Sequence, residues 1–345
     1  MCLRSGLICI HLVASVIGAA TVLTRFVKDG KQRRSRDVDA QLSKADLNGC
    51  SYEVVMFDTR NLEDIPHFGG KLFPADKYDS LTPVINFAYA KKFGYNFNFV
   101  HMDKADLDAQ FSIPWYRVFY FADRLRKLKD QDNCTWFLYL DTDAFLHDFD
   151  TPLDNFISTM ASKYHIKRDV GAIFAQEQNH LPEMPITFHS VNAGVYIIHS
   201  NVNSRRLFDT WATAASDDSE LQKSWPAEQG VLTELVFPGK YVTRLGTALP
   251  GGKLHKGASA RLRQHGDVDV ASTLALVNMT EMNSPWGWFI EHAWSGPGSE
   301  KRGSDFIAML ESIHASDPDR FGALLARVRE RTSTWTTLRS SSERV

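Results

Sequence analysis

"WFLYLDTD", Trp136 to Asp143, runs five apolar residues into two aspartates that flank a single threonine. A short continuous apolar run closed by polar residues reads as a strand buried on both faces. Its surroundings agree. "YEVVMFDT" (Tyr52 to Thr59) is a second apolar run, and Leu81 to Phe93 ("LTPVINFAYAKKF") has helical character and stops at Gly94. "YNFNFVHMD" then alternates with period two, and Trp115 to Lys129 carries apolar residues at helical spacing with basic residues toward its C-terminal end, which suits the helix dipole. Strand, helix, strand, helix, strand predicts an α/β chain built on one mostly parallel sheet covered by helices on both faces.

In such sheets ligands collect beyond the carboxyl ends of the strands, where Asp141 and Asp143 fall. If the backbone stays extended, residues i and i+2 face the same way and the two carboxylates converge. Like charges that close repel unless a cation sits between them, so a divalent metal accounts for the pair. The alternative is a solvated Asp141 beside an Asp143 that caps a turn.

Composition bounds the partners. The 345 residues are 43% hydrophobic and 23% charged with a net charge of -2, which gives no reason to expect nucleic acid. Ser5 to Thr24 contains no Asp, Glu, Lys or Arg over 20 residues, enough to span a bilayer. Residues 1–24 are either a signal anchor or a signal peptide cleaved near Gly18, Ala19 and Ala20. As an anchor the segment predicts a single-pass type II protein of the Golgi or endoplasmic reticulum membrane with a luminal domain. Cleavage predicts a secreted one. The positive-inside rule disagrees with the type II orientation, because Arg25, Lys28, Lys31, Arg33, Arg34 and Arg36 outnumber Arg4.

The sequons Asn133-Cys134-Thr135 and Asn278-Met279-Thr280 favour the lumen. Cys50 and Cys134, the two cysteines away from the apolar segment, are either a luminal disulfide or two buried thiols. Residues 25–50, charged and without apolar periodicity, read as a stem, and 51–304 as the main domain. Residues 305–345 read as two amphipathic helices and a mobile tail from Ser333.

Five stretches in this order carry a resemblance: "NFAYAKKFGY" (Asn86 to Tyr95), "WYRVFYFADRL" (Trp115 to Leu125), "LYLDTDAFLHD" (Leu138 to Asp148), "NAGVYIIHS" (Asn192 to Ser200) and "PAEQGVLTEL" (Pro226 to Leu235). Together they resemble glycosyltransferase family 34, the fungal galactosyl/mannosyltransferases and plant xyloglucan xylosyltransferases. The resemblance implies a GT-A fold, a single Rossmann-like sheet, and a retaining transfer of a hexose or pentose from a nucleoside diphosphate sugar to a glycan or polysaccharide hydroxyl. A UDP-sugar is favoured, with GDP-mannose as the second candidate donor.

The implied metal ligands are Asp141, Asp143 and His292, the last in "WFIEHAWSGPG", unless His292 is a hydrogen-bonded histidine at a strand end. His255 is the runner-up, and Lys301 and Arg302 lie near where the family carries a lysine. One imidazole beside carboxylates favours Mn2+, with Mg2+ as the second choice. Gly296 belongs to a turn where backbone can approach phosphate. Asp58, Thr59 and Arg60, at the end of the first strand, are the implied nucleotide contacts unless they simply form a turn, and Arg117 the diphosphate or sugar contact unless it is a surface ion pair. Asn192, Ala193 and Gly194 are read either as a small-residue turn beside the sugar or as a strand entry that needs small residues. Glu228 and Gln229 are the implied catalytic pair, Gln229 across the reacting carbon and Glu228 on sugar or acceptor.

No Ser/His/Asp triad, Walker loop or G-x-G-x-x-G is present. Two other classes remain: a transferase-like module that binds without turnover, and a glycoside hydrolase, which would need an acid/base pair of carboxylates and no nucleotide.

Overall fold

The computed structural model describes residues 40–60, 78–128, 134–177, 190–216, 222, 227–237, 269–292, 304–316, 326–328 and 332–334. The apolar segment 5–24, residues 25–39, Asn133, His255, Gly296, Lys301 and Arg302 lie outside them. Among the described residues no helix is long and apolar enough to cross a membrane.

The expected alternation is present: β1 (Ser51–Asp58), α2 (Tyr78–Phe93), β2 (Asn96–His101), α3 (Trp115–Lys127) and β3 (Thr135–Leu140), preceded by a short α1 (Lys44–Leu47). There follow β4 (Ala144–Leu146), α4 (Leu153–Tyr164), β5 (Ala172–Glu177), β6 (Ser190–His199), α5 (Val202–Ser216) and α6 (Ala227–Val236). The remaining elements are β7 (Leu274–Asn278), α7 (Met279–Met282), β8 (Ile290–His292), α8 (Ser304–Ser316) and β9 (Thr332–Thr334). The main sheet runs in the order β7-β5-β6-β3-β1-β2-β9, and β4 pairs with β8 in a separate two-stranded sheet. In the main sheet β6 runs antiparallel to both its neighbours, β3 and β5, while the other pairings are parallel.

Alternate side chains of the central strands feed two cores. Val54 and Met56 of β1, with Leu138 and Leu140 of β3, pack on the side of α2 and α4. Val55, Phe57, Phe137 and Tyr139 pack on the side of α3, α5 and α6. Burial on both faces is why these strands show no polar alternation. A disulfide ties Cys50 to Cys134, 84 residues apart, at the starts of β1 and β3, so the cysteines are a bridge rather than two thiols.

Two boundaries differ from the expectation. Residues 40–50 are part of the folded domain: Leu42 and Leu47 are buried, and Gln41 bridges to Lys167. The stretch holds only two large apolar residues, Leu42 and Leu47, among small and polar ones, too few for periodicity to reveal. At the other end Thr332–Thr334 pair in parallel with β2, so the first residues of the expected tail close the sheet edge.

Candidate functional site

The carboxyl end of β3 does not continue extended through the D-x-D. Asp141 accepts the Ala144 N–H at 2.9 Å, which closes a turn over Thr142 and Asp143. The convergence of the carboxylates therefore comes from a turn rather than from strand periodicity. Asp141 keeps the parity of Phe137 and Tyr139 and faces α3. After the turn, Asp143 meets His292 on β8.

Helix α2 holds this turn from the other side. Thr82 Oγ1 donates to the Thr142 carbonyl at 2.5 Å, and Asn86 Nδ2 donates to the Ala144 carbonyl at 3.0 Å. Asn86 Oδ1 accepts the Leu146 N–H at 3.0 Å, so one buried amide satisfies a carbonyl and an N–H on one edge of β4. Antiparallel pairing then sets Ala144 opposite His292.

Asp141, Asp143 and His292 each direct a ligand atom into one cluster, all within 4.8 Å of one another. His292 Nε2 lies 3.0 Å from Asp143 Oδ1. Burial opposes a charge on this imidazole, but the Asp143 carboxylate outweighs it, and the pKa is raised above the ordinary histidine value. Two carboxylates and one imidazole converging near a sheet's carboxyl edge fit a divalent ion.

Gly194 is part of this arrangement. A Cβ there would strike His292 Cε1 and lie 2.9 Å from Asp141 Oδ2, so the ligands occupy the space a side chain would take. The strand accommodates this by a bulge: Phe174 pairs with Tyr196 while the next residue, Ala175, pairs with Asn192. Asn192 to Gly194 thus lie within β6, not in a turn before it. The small residues serve the bulge and the imbalance of pairing that a single sequence does not display.

Beneath the cluster lies a buried ion chain. The Arg117 guanidinium bonds Asp141 through Nη1 and Glu228 through Nη2, and Nη1 also donates to Tyr139 Oη at 3.0 Å. Tyr139 donates to the same Asp141 oxygen. Arg117 and Glu228 are buried, with side chains 9% and 3% exposed. Burial disfavours the arginine charge, yet Asp141, Tyr139 and Glu228 more than offset it and the guanidinium is held ionised. Burial lifts the Glu228 carboxyl above the usual carboxylate range, with Arg117 opposing.

Residues 85–251 match the galactosyl transferase GMA12/MNN10 family. That segment, just under half of the 345 residues, is similar to glycosyltransferase family 34. The match takes in the D-x-D turn, Arg117, the β6 bulge and Glu228, whereas His292 joins from beyond it. A solved glycosyltransferase involved in the glycosylation of the major capsid of PBCV-1 is 13% identical, with TM-score 0.45, over 74% of this chain and 98% of that one. A putative glucose-1-phosphate thymidylyltransferase from Bacillus anthracis, solved in complex with a sucrose, is also 13% identical, with TM-score 0.27, over 74% of this chain and 94% of that one. No curated protein matches the chain.

The expected site residues divide into those that meet as ligands and those that surround them. Asp141, Asp143 and His292 come together as ligands. Asp58, at the end of β1, is buried and paired with Arg60 at 2.6 Å, and Arg60 Nη2 also reaches Thr142 Oγ1 at 3.0 Å. Asp58, Thr59 and Arg60 therefore border the D-x-D turn. Arg117 is no surface ion pair, since its guanidinium is committed to Asp141 and Glu228. Glu228 faces that guanidinium inside the protein. Gln229 Oε1 accepts the Ala193 N–H at 3.0 Å, bracing the bulge. Asn192 directs its oxygen to the Gly194 N–H at 2.8 Å and to Asn283 Nδ2 at 2.9 Å. Thr82, Asn86, Tyr139 and Asn283 were missed, because each is an ordinary core or helix residue in the sequence. Asn86 and Tyr139 alone had a signal, since each lies in a stretch that resembles the family.

Proposed function

We propose that this chain is a divalent-metal-dependent, configuration-retaining transferase that moves a hexose or pentose from a nucleoside diphosphate sugar to a glycan or polysaccharide hydroxyl. Mn2+ is the preferred ion, Mg2+ the second, and a UDP-sugar the preferred donor over GDP-mannose. The observation that carries this reading is the convergence of Asp141, Asp143 and His292 beyond β3 in a chain similar to family 34.

An ion held there would act as a Lewis acid on the departing diphosphate. The chain's own residues supply positioning and charge. Arg117 and Tyr139 fix one oxygen of Asp141, and its other oxygen lies beside the Gly194 backbone that His292 also approaches. Asp58, Thr59 and Arg60 border the side on which we place the nucleoside, and half-buried Gln229 borders the side on which we place the sugar. Glu228 acts through Arg117 rather than by touching the acceptor. Preset dipoles and charges of this kind lower a barrier without reorganising during the reaction.

We place the domain in the Golgi or endoplasmic reticulum lumen, behind residues 1–24 as a type II anchor. The Cys50–Cys134 disulfide supports an oxidising compartment. At the second sequon Asn278 Oδ1 accepts from Thr280 N at 3.0 Å and caps α7, so that side chain has a structural use.

The deciding experiment is release of free nucleotide from a panel of UDP- and GDP-sugars, with and without Mn2+, in wild type and Asp143→Ala. Metal-dependent turnover of one donor, lost in the variant, supports the transferase and names its sugar. Nucleotide binding without turnover supports a non-catalytic module. Absence of nucleotide binding with hydrolysis of a glycoside would replace the proposal with a hydrolase.

A further inference from the structure

We propose that Asn283 is a positioning residue that holds His292 as the Nδ1–H tautomer, leaving the Nε2 lone pair for a cation between Asp141 and Asp143. The inference rests on the metal reading above and adds the reason the imidazole is presented in one sense.

The argument starts from two backbone groups whose polarity is fixed. The Gly194 N–H can only donate, and at 2.8 Å it meets the Asn192 side chain, so the atom there is the oxygen Oδ1. The Asn283 amide approaches that same oxygen at 2.9 Å and must present its NH2 group. The Val195 carbonyl, 3.4 Å from the same Asn283 nitrogen, can only accept and excludes the flipped amide. Asn283 therefore turns Oδ1 toward His292, 2.5 Å from Nδ1. An oxygen acceptor requires hydrogen on Nδ1, so the neutral ring carries its lone pair on Nε2, the atom beside Asp143.

The relay is buried and held by backbone hydrogen bonds. Asn283 is fully buried, and its own N–H is held by the Met279 carbonyl at 2.9 Å at the end of α7. His292 N–H is bound in turn by the Ser284 carbonyl at 3.0 Å, so ring and amide hang from adjoining backbone. Orientation of a metal-binding histidine through its second nitrogen raises its competence as a ligand, and loss of such a partner costs about 10–100-fold in metal affinity.

Two measurements on the full-length chain test this. Mn2+ binding is titrated by the loss of the free-ion electron paramagnetic resonance signal for wild type, Asn283→Ala and Asn283→Asp. Long-range 15N–1H spectra of the 15N-histidine-labelled, Mg2+-loaded chain, with His292→Gln to assign the resonance, read the tautomer directly. We expect hydrogen on Nδ1 in wild type, about 10–100-fold weaker Mn2+ binding in Asn283→Ala, and a smaller loss in Asn283→Asp, whose carboxylate still accepts from Nδ1 although its second oxygen faces the Asn192 oxygen and the Val195 carbonyl. A merely structural role predicts the reverse order, because a buried charge is harder on packing than a truncation.

Hydrogen on Nε2 in wild type overturns the relay, as does Mn2+ affinity within about threefold of wild type in Asn283→Ala. If wild type binds no Mn2+ and no Mg2+, the metal reading of the Proposed function fails. The tautomer spectrum of the metal-free chain above the His292 pKa then judges the relay alone.

Discussion

Replacing Arg117 by methionine removes the cation between two carboxylates while keeping much of its aliphatic volume. Asp141 retains access to solvent, with its side chain 28% exposed, but Glu228 is 3% exposed and loses its charged partner. An ionised carboxylate left in that position escapes by taking a proton, and the free energy of doing so bounds the damage. With an ordinary glutamate pKa of about 4.3, protonation at pH 7 costs about 3.7 kcal/mol at about 1.36 kcal/mol per pH unit. This agrees with the roughly 3–5 kcal/mol found on breaking buried ion pairs.

The sign with pH follows from linkage. In the variant the folded carboxyl has a raised pKa, so its proton is no burden below about pH 4.3 and becomes one as pH rises. At pH 5 the same bound falls to about 1 kcal/mol. Urea unfolding of wild type and Arg117→Met at both pH values, followed by tryptophan fluorescence, should show a stability difference larger at pH 7 than at pH 5, by at most about 2–3 kcal/mol because burial already raises the wild-type Glu228 carboxyl. Adding Glu228→Gln to Arg117→Met should abolish the pH dependence. A difference below about 1 kcal/mol at pH 7, or one independent of pH, refutes a buried, compensated Glu228.

Gly194→Ala should displace the His292 ring and weaken Mn2+ binding at least about tenfold, while the unfolding transition moves far less than in Arg117→Met. Unchanged affinity in an Mn2+ titration would contradict the close approach of ring and backbone. Because the His292 pKa is raised, the protonated ring favours the folded state below the ordinary histidine value, and that benefit disappears as pH rises through the folded pKa. Metal and proton compete for Nε2, so Mn2+ affinity should rise about tenfold per pH unit below that pKa and level off above it. A flat profile between pH 5 and 8 would remove His292 from the ligand set. Cys50→Ser with Cys134→Ser opens a loop of 84 residues and should cost about 4.6 kcal/mol by the chain-entropy estimate, read as a lower urea midpoint.

Much of the fold was legible because it rests on short-range signals. The alternation from Tyr52 to Asp143 announces itself in apolar runs and helical spacing, and β1, β2, β3, α2 and α3 fall where those patterns place them to within a few residues. The antiparallel β6, the β4–β8 pair and the bulge at Asn192 to Gly194 were not legible. Each depends on which distant strand lies alongside, and pairing leaves no mark on a single strand's own pattern.

The site divides the same way. Residue type and placement at a strand end named Asp141 and Asp143, and the family pattern added His292. Neither could say that Arg117 and Glu228 neutralise one another inside the protein, since a charged residue on a helix reads as exposed until its surroundings are known.

The sequence by itself determined that an apolar strand ends in two carboxylates on a mostly parallel α/β sheet, because burial and strand periodicity act over a few residues. Tertiary structure decided how those carboxylates are used. Only the closing of a turn over Thr142, the pairing of β8 with β4, and the space left by a glycine at position 194 bring His292 to Asp143. These are contacts between segments up to 149 residues apart. Their free energy belongs to the assembled core and to no stretch of chain alone.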